Sequence, residues 1–129
     1  MGISIQMRKI YRVRAILFAG IALTWPAIIM AHAMPANSEP GVGAVVATAP
    51  QSIQITFDAR LEEMSCTITV KNSDGQTINS RTRLEPANHK ILETDLNDLL
   101  PGDYHVYWNV VSVDGHRTNG DYVFHFRPQ

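Results

Sequence analysis

Asp114, Gly115 and His116 place a carboxylate and an imidazole two residues apart, with a glycine between them. Glycine accepts the backbone angles of a tight turn, so both side chains can converge on one point. Two such groups on a rigid rim can form half of a metal site. The tripeptide alone is a weak signal, because Asp-Gly is a common turn dipeptide and a His beside it is most often solvated. The flanking residues supply the rim. Tyr104, Val106, Trp108, Val110 and Ser112 alternate with His105, Tyr107, Asn109, Val111 and Val113, and this period of two predicts a strand with one large-residue face. Asn119-Gly120 reads as a second turn signal, after which residues 121–126 resume as a strand. The D-G-H turn then lies at the tip of a long β-hairpin, and the rest of any site must come from elsewhere.

The other end of the chain is the place to look. Residues 1–31 read as a signal peptide. Arg8, Lys9, Arg12 and Arg14 form a basic start, and residues 15–30 are uncharged and mostly apolar. That run is short for a membrane span and is interrupted by Gly20 and Pro26. An uncleaved anchor is the alternative, and export follows from either. Ala31-His32-Ala33 is itself a small-x-small pattern that favours cleavage after Ala33, whereas cleavage after Ala31 leaves His32 as the new N-terminus.

Residues 32–129 then form one domain of modest core. They hold twelve acidic and seven basic residues, a formal charge of −5. Such a surface argues against nucleic acid and anionic lipid as partners and suits cations. Cys66 is the single cysteine, so no intramolecular disulfide can form. Its alternation with Thr67, Ile68, Thr69 and Val70 reads as a buried, inert thiol.

The domain reads as short strands with turn punctuation. Residues 32–40 are expected to be irregular because of Pro35 and Pro40, and 41–47 to hold a brief edge strand. Strands are predicted over 52–57, 66–71, 89–94, 103–113 and 121–126. Asn72-Ser73-Asp74-Gly75 is predicted to turn the chain back into 77–80 as a hairpin, and 96–100 to form a helical turn. About seven strands without a long helical period predict an all-β, immunoglobulin-like antiparallel β-sandwich of Greek-key type, with Trp108 between the sheets.

These residues resemble the CopC/PcoC copper-resistance proteins, small periplasmic copper carriers, over nearly all of 32–128. The likeness rests on His32-Ala33 after a signal peptide, S-x-P-x-x-G at 38–43, Ala49-Pro50 before I-x-I-x-F, and the Asp74-Gly75 turn. It continues through P-G-x-Y at 101–104 and W-x-V-x-S-x-D-G-H-x-x-x-G at 108–120. The resemblance implies a mature N-terminal His that binds Cu(II) through amine and imidazole, joined by the Asp and His of D-G-H. In this sequence those residues are His32, Asp114 and His116, and the implication favours cleavage before His32. One amine, two imidazoles and a carboxylate suit the tetragonal nitrogen and oxygen preference of Cu(II). An α-amine ordinarily titrates at about 7.7–8.0, so affinity is expected to fall with pH.

Departures from the family pattern refine the expectation. Some members hold Cu(I) in a methionine-rich loop, but only Met34 and Met64 occur after residue 31, so one Cu(II) per chain and no Cu(I) site is expected. Asp58 stands where some members place an acidic residue near copper, and reads equally as a further ligand, a supporting partner or an ordinary strand-end residue. His89, His105 and His125 are expected at the surface, away from metal.

The expected function is a periplasmic Cu(II) carrier or buffer, monomeric, without turnover, and with any membrane copper transporter on a separate chain. Two other readings compete. A copper-dependent oxidative enzyme would share the N-terminal histidine brace, but Asp114 would fill a position that oxygen activation wants open. A metal-free immunoglobulin-like interaction module is what the fold alone permits.

Overall fold

The computed structural model describes residues 32–129, together with Gly2. The expected signal peptide falls on residues 1–31, otherwise outside the described part. Eight strands follow in order: β1 (Pro35–Glu39), β2 (Val45–Val46), β3 (Ser52–Phe57), β4 (Thr67–Lys71), β5 (Asn79–Glu85), β6 (Asn88–Leu96), β7 (Gly102–Val111) and β8 (Arg117–Phe126). One sheet has the order β1-β3-β6-β5 and the other β2-β8-β7-β4. All pairings are antiparallel except the two-residue parallel contact of β2 with β8.

The alternation along each strand decides which side chains enter the space between the sheets. Ile53, Ile55 and Phe57 of β3 face Val106, Trp108 and Val110 of β7 and Tyr122, Phe124 and Phe126 of β8, all buried. Trp108 meets Phe57 edge-on, with ring centroids 5.4 Å apart. Tyr104 stacks on Phe124 and donates its hydroxyl to the Leu100 carbonyl at 2.5 Å, which fastens the corner leading into β7. Cys66 is buried as expected, its thiol donating to the Glu62 carbonyl at 3.0 Å, and burial pushes its pKa up.

Several local expectations need correction. Residues 35–39 form a strand despite Pro35, because β1 is a sheet edge and Pro35 is its first residue, where a missing N–H is tolerated. The turn at Asn72–Gly75 forms, with Gly75 at φ +77, but it leads from one sheet into the other. A single bridge, Lys71 to Thr77, is all that remains of the expected hairpin. The partner of β5 is β6, and β5 runs to Glu85, past the expected end at residue 80, through a polar stretch of weak alternation; β1 is the eighth strand. Residues 97–100 are irregular, and the only helical piece among the described residues is a 3₁₀ turn at Glu63–Ser65.

Asn119-Gly120 is no turn. Both residues lie inside β8, with Gly120 opposite Trp108 and Asn119 opposite Asn109. Here the glycine serves close approach: a Cβ at residue 120 would lie 2.5 Å from Trp108 Cζ2. The β7–β8 hairpin therefore reverses only once, at Val113–Gly115, directly before His116.

Candidate metal centre

The hairpin tip is tied together by its own short polar side chains. The Ser112 backbone N–H donates to the His116 carbonyl at 2.9 Å, and Gly115, at φ +89, donates to the Ser112 carbonyl at 2.8 Å. Asp114 Oδ1 accepts from the Ser112 hydroxyl and from the His116 backbone N–H. These contacts, the Ser112 hydroxyl first and the His116 amide second, hold the Asp114 carboxyl down at about pKa 2. It is an anion at every physiological pH.

Oδ2 of Asp114 is not used by the turn and lies 3.1 Å from His116 Nδ1. That nitrogen is buried and has no hydrogen bond, because the carboxylate is at ion-pair distance but out of line. An imidazole nitrogen with an unshared lone pair or proton is thus held against a fixed anion, and the ring is only partly exposed.

His32 comes to the same place from 84 residues earlier in the chain. Its ring stands edge-on to that of His116, with centroids 5.1 Å apart and an interplanar angle of 87°. Two hydrogen bonds fix the segment that carries it. The Ala33 carbonyl accepts from the Thr118 hydroxyl at 2.6 Å, and the Met34 N–H donates to Asp58 Oδ1 at 2.8 Å. Ala33 itself is fully buried. Asp58 therefore meets the backbone two residues after His32. Among the described residues, no three His, Cys, Asp or Glu side chains are already gathered closely enough to chelate an ion.

Of the other histidines, His89 lies near the start of β6 in the first sheet, and His105 and His125 lie on the outer face of the second. His125 Nδ1 pairs with Asp103 at 2.7 Å, and His105 pairs with Asp121 while accepting or donating at the Tyr107 hydroxyl. Both carboxylate partnerships escaped the sequence reading, although the antiparallel register of β7 and β8 sets Asp103 opposite His125.

Comparison with known proteins places the domain. The CopC domain model matches residues 36–127. The chain belongs to the CopC family. The copper transport protein CutJ of Bacillus subtilis strain 168 is 36% identical over 97 residues, which are 74% of this chain but 18% of that protein. Protein YobA of Escherichia coli K12 is 36% identical over 99 residues and matches across 79% of its own length. CopC from Methylosinus trichosporium OB3b superposes with a TM-score of 0.72 at 26% identity, covering 76% of this chain and 96% of that one. PcoC, a methionine-rich copper resistance protein from Escherichia coli, superposes with a TM-score of 0.63 at 27% identity, covering 75% and 100%. The resemblance read from the sequence is thereby shown, and so is the β-sandwich. Of these relatives, CutJ is named a copper transport protein and PcoC a copper resistance protein.

Proposed function

We propose that this CopC-family protein is a periplasmic carrier or buffer that takes up one Cu(II) per chain, with His32, Asp114 and His116 as ligands. The observation that carries the reading is the meeting of the His32 and His116 rings at 5.1 Å beside an anionic carboxylate. With metal–nitrogen bonds of about 2.0–2.1 Å, two imidazoles on one ion have centroids roughly 4.5–6 Å apart, so the pair needs little rearrangement. The unpartnered, buried Nδ1 of His116 also fits, since such an atom is costly unless something coordinates or bonds it.

Each chain residue has a separate task in this reading. Asp114 divides its oxygens: Oδ1 closes the turn, and Oδ2, free of the turn and 3.1 Å from His116 Nδ1, would be the oxygen that binds the ion. Thr118 and Asp58 act as positioning residues by holding Ala33 and Met34, and so hold His32 near the hairpin tip. Cleavage before His32 would add an α-amine and complete a tetragonal nitrogen and oxygen set. The formal charge of −5 over residues 32–129 favours cation encounter. Copper is cargo here, loaded and released rather than consumed. A membrane copper transporter is the kind of partner that would supply or receive it.

Cu(II) titration of the exported protein tests the reading. One equivalent should bind tightly, and His116→Ala should weaken binding by orders of magnitude while the fold is kept. Unchanged affinity in that variant would remove His116 from the site.

A further inference from the structure

We infer that the free edge of β8 is a self-complementary pairing surface, through which two copies of this domain join their β2-β8-β7-β4 sheets around a two-fold axis at Asn119. The edge arises because β2 covers only the far end of β8. Val123 accepts from Gly43, and His125 and Arg127 donate to Ala44 and Val46. Odd-numbered residues of β8 therefore direct their backbone groups away from β7. At Arg117, Asn119 and Asp121 nothing among the described residues meets those groups. Three N–H and three C=O groups are left along an exposed stretch with no proline or bulge to block pairing.

The sequence of this stretch, R-T-N-G-D, selects its partner. In an antiparallel pairing of two copies centred on Asn119, Arg117 of one copy lies opposite Asp121 of the other, twice, and Asn119 opposes Asn119. All three are the residues with outward backbone groups, so this register makes roughly six ladder hydrogen bonds. Shifting it by one residue in either direction separates the opposite charges. A shift toward the C-terminus also sets Arg117 against Val123, whose carbonyl is already taken by Gly43. All three side chains are exposed on the same face. Arg117 spends one donor on Asn109 Oδ1 at 2.8 Å, and Asp121 Oδ2 meets His105, which leaves further donors and Oδ1 for the second copy. Met34 and Val42, both exposed, flank the groove beneath the edge and would be partly covered.

A five-residue edge buries less than the area of a standard stable interface, so this pairing is a concentration-dependent one, and dilute protein is monomeric. It does not share a metal. The two His116 residues would stand six residues apart along the paired strands, roughly 20 Å. Pairing is therefore independent of the copper reading.

Sedimentation velocity of the exported protein over a concentration series, with and without Cu(II), tests the inference. The parent should self-associate reversibly in both conditions, and His116→Ala should do so equally. Arg117→Asp or Asp121→Arg alone should weaken association about tenfold, since two cross-strand pairs turn repulsive. The double exchange Arg117→Asp with Asp121→Arg should restore it. Amides of residues 117, 119 and 121 should gain protection from hydrogen exchange as concentration rises. The inference is overturned by a parent that stays monomeric at its solubility limit, by single exchanges that associate as the parent does, or by a double exchange that does not recover. In the first case the edge would be left to a strand from another protein.

Discussion

Replacing Gly120 by Ala should damage the fold through Trp108 and leave the hairpin tip untouched. An added Cβ would lie 2.5 Å from Cζ2, 2.9 Å from Cε2 and 3.2 Å from Nε1 of the indole. Carbon atoms prefer about 3.5–4.0 Å, so the ring must retreat by roughly 1 Å. It has nowhere easy to go, since Trp108 is 7% exposed and already packs edge-on with Phe57. Forcing a methyl into such a core costs typically about 1–3 kcal/mol. In a domain of this size each kcal/mol lowers Tm by about 4–8 °C, so a fall of roughly 5–20 °C is expected in a thermal melt. Trp108→Phe should recover part of the loss on the Gly120→Ala background although it is destabilising alone, giving a coupling energy in a double-mutant cycle. Cu(II) affinity of the folded Gly120→Ala protein should stay near the parent's. A melt unchanged within 1–2 °C, or strictly additive losses, would refute the close-approach argument and return Gly120 to the role of an ordinary strand glycine.

Three further expectations follow from the same geometry. Trp108→Ala should cost about 3–5 kcal/mol by urea denaturation, with copper lost only as the protein unfolds, whereas His116→Ala should move stability by under about 0.5 kcal/mol. Thr118→Val removes the hydrogen bond to Ala33 without removing a proposed ligand, and should lower Cu(II) affinity severalfold by competition titration. Burial pushes the Tyr122 phenol up to about 12, and its oxygen has no hydrogen bond, the Ser38 side chain being nearby but unsuitably placed. Above pH 10 the unfolded chain loses this proton while the folded one keeps it, so stability should decline between about pH 10 and 12, by about 2–3 kcal/mol from this group. Tyr122→Phe should flatten that decline and leave stability at pH 7 equal or slightly higher, because an unsatisfied hydroxyl is removed.

The strand alternation made most of the sandwich legible: the buried residues of β3, β7 and β8 are those that the period of two picks out. What escaped was decided by neighbours distant in sequence. Whether residues 79–85 pair with β4 or β6 depends on which sheet the chain enters after Gly75, and local propensity carries no such information. Asn119-Gly120 has the composition of a turn, yet the indole of Trp108 claims the glycine. Pro35 argues against a strand only if the strand is central, and edge position is a property of the assembled sheet. At the candidate site, the D-G-H turn was readable because its hydrogen bonds are local. The approach of His32 was implied by family resemblance alone. The contacts that produce it, Thr118 with Ala33 and Asp58 with Met34, join segments 85 and 24 residues apart.

The pH dependence of metal binding separates the proposed ligands by type. Asp114 stays ionised down to about pH 2, so it cannot cause a loss of binding near neutrality. Imidazole and amine nitrogens must shed protons to coordinate, and affinity should fall as pH drops through their range. A profile that remains flat to pH 4 and then collapses would assign binding to carboxylates instead.

The most direct test of the central claim compares Cu(II) affinity, by competition with a chelator of known strength, for chains beginning at His32 and at Ala33. The N-terminus of the exported protein, read by mass, establishes which of them occurs naturally. If His32 supplies nitrogen to a site shared with Asp114 and His116, the Ala33 form should bind Cu(II) more weakly by orders of magnitude, with an unchanged thermal melt apart from the terminal residue. Equal affinity of the two forms, or natural cleavage after Ala33 with tight binding retained, would contradict the account.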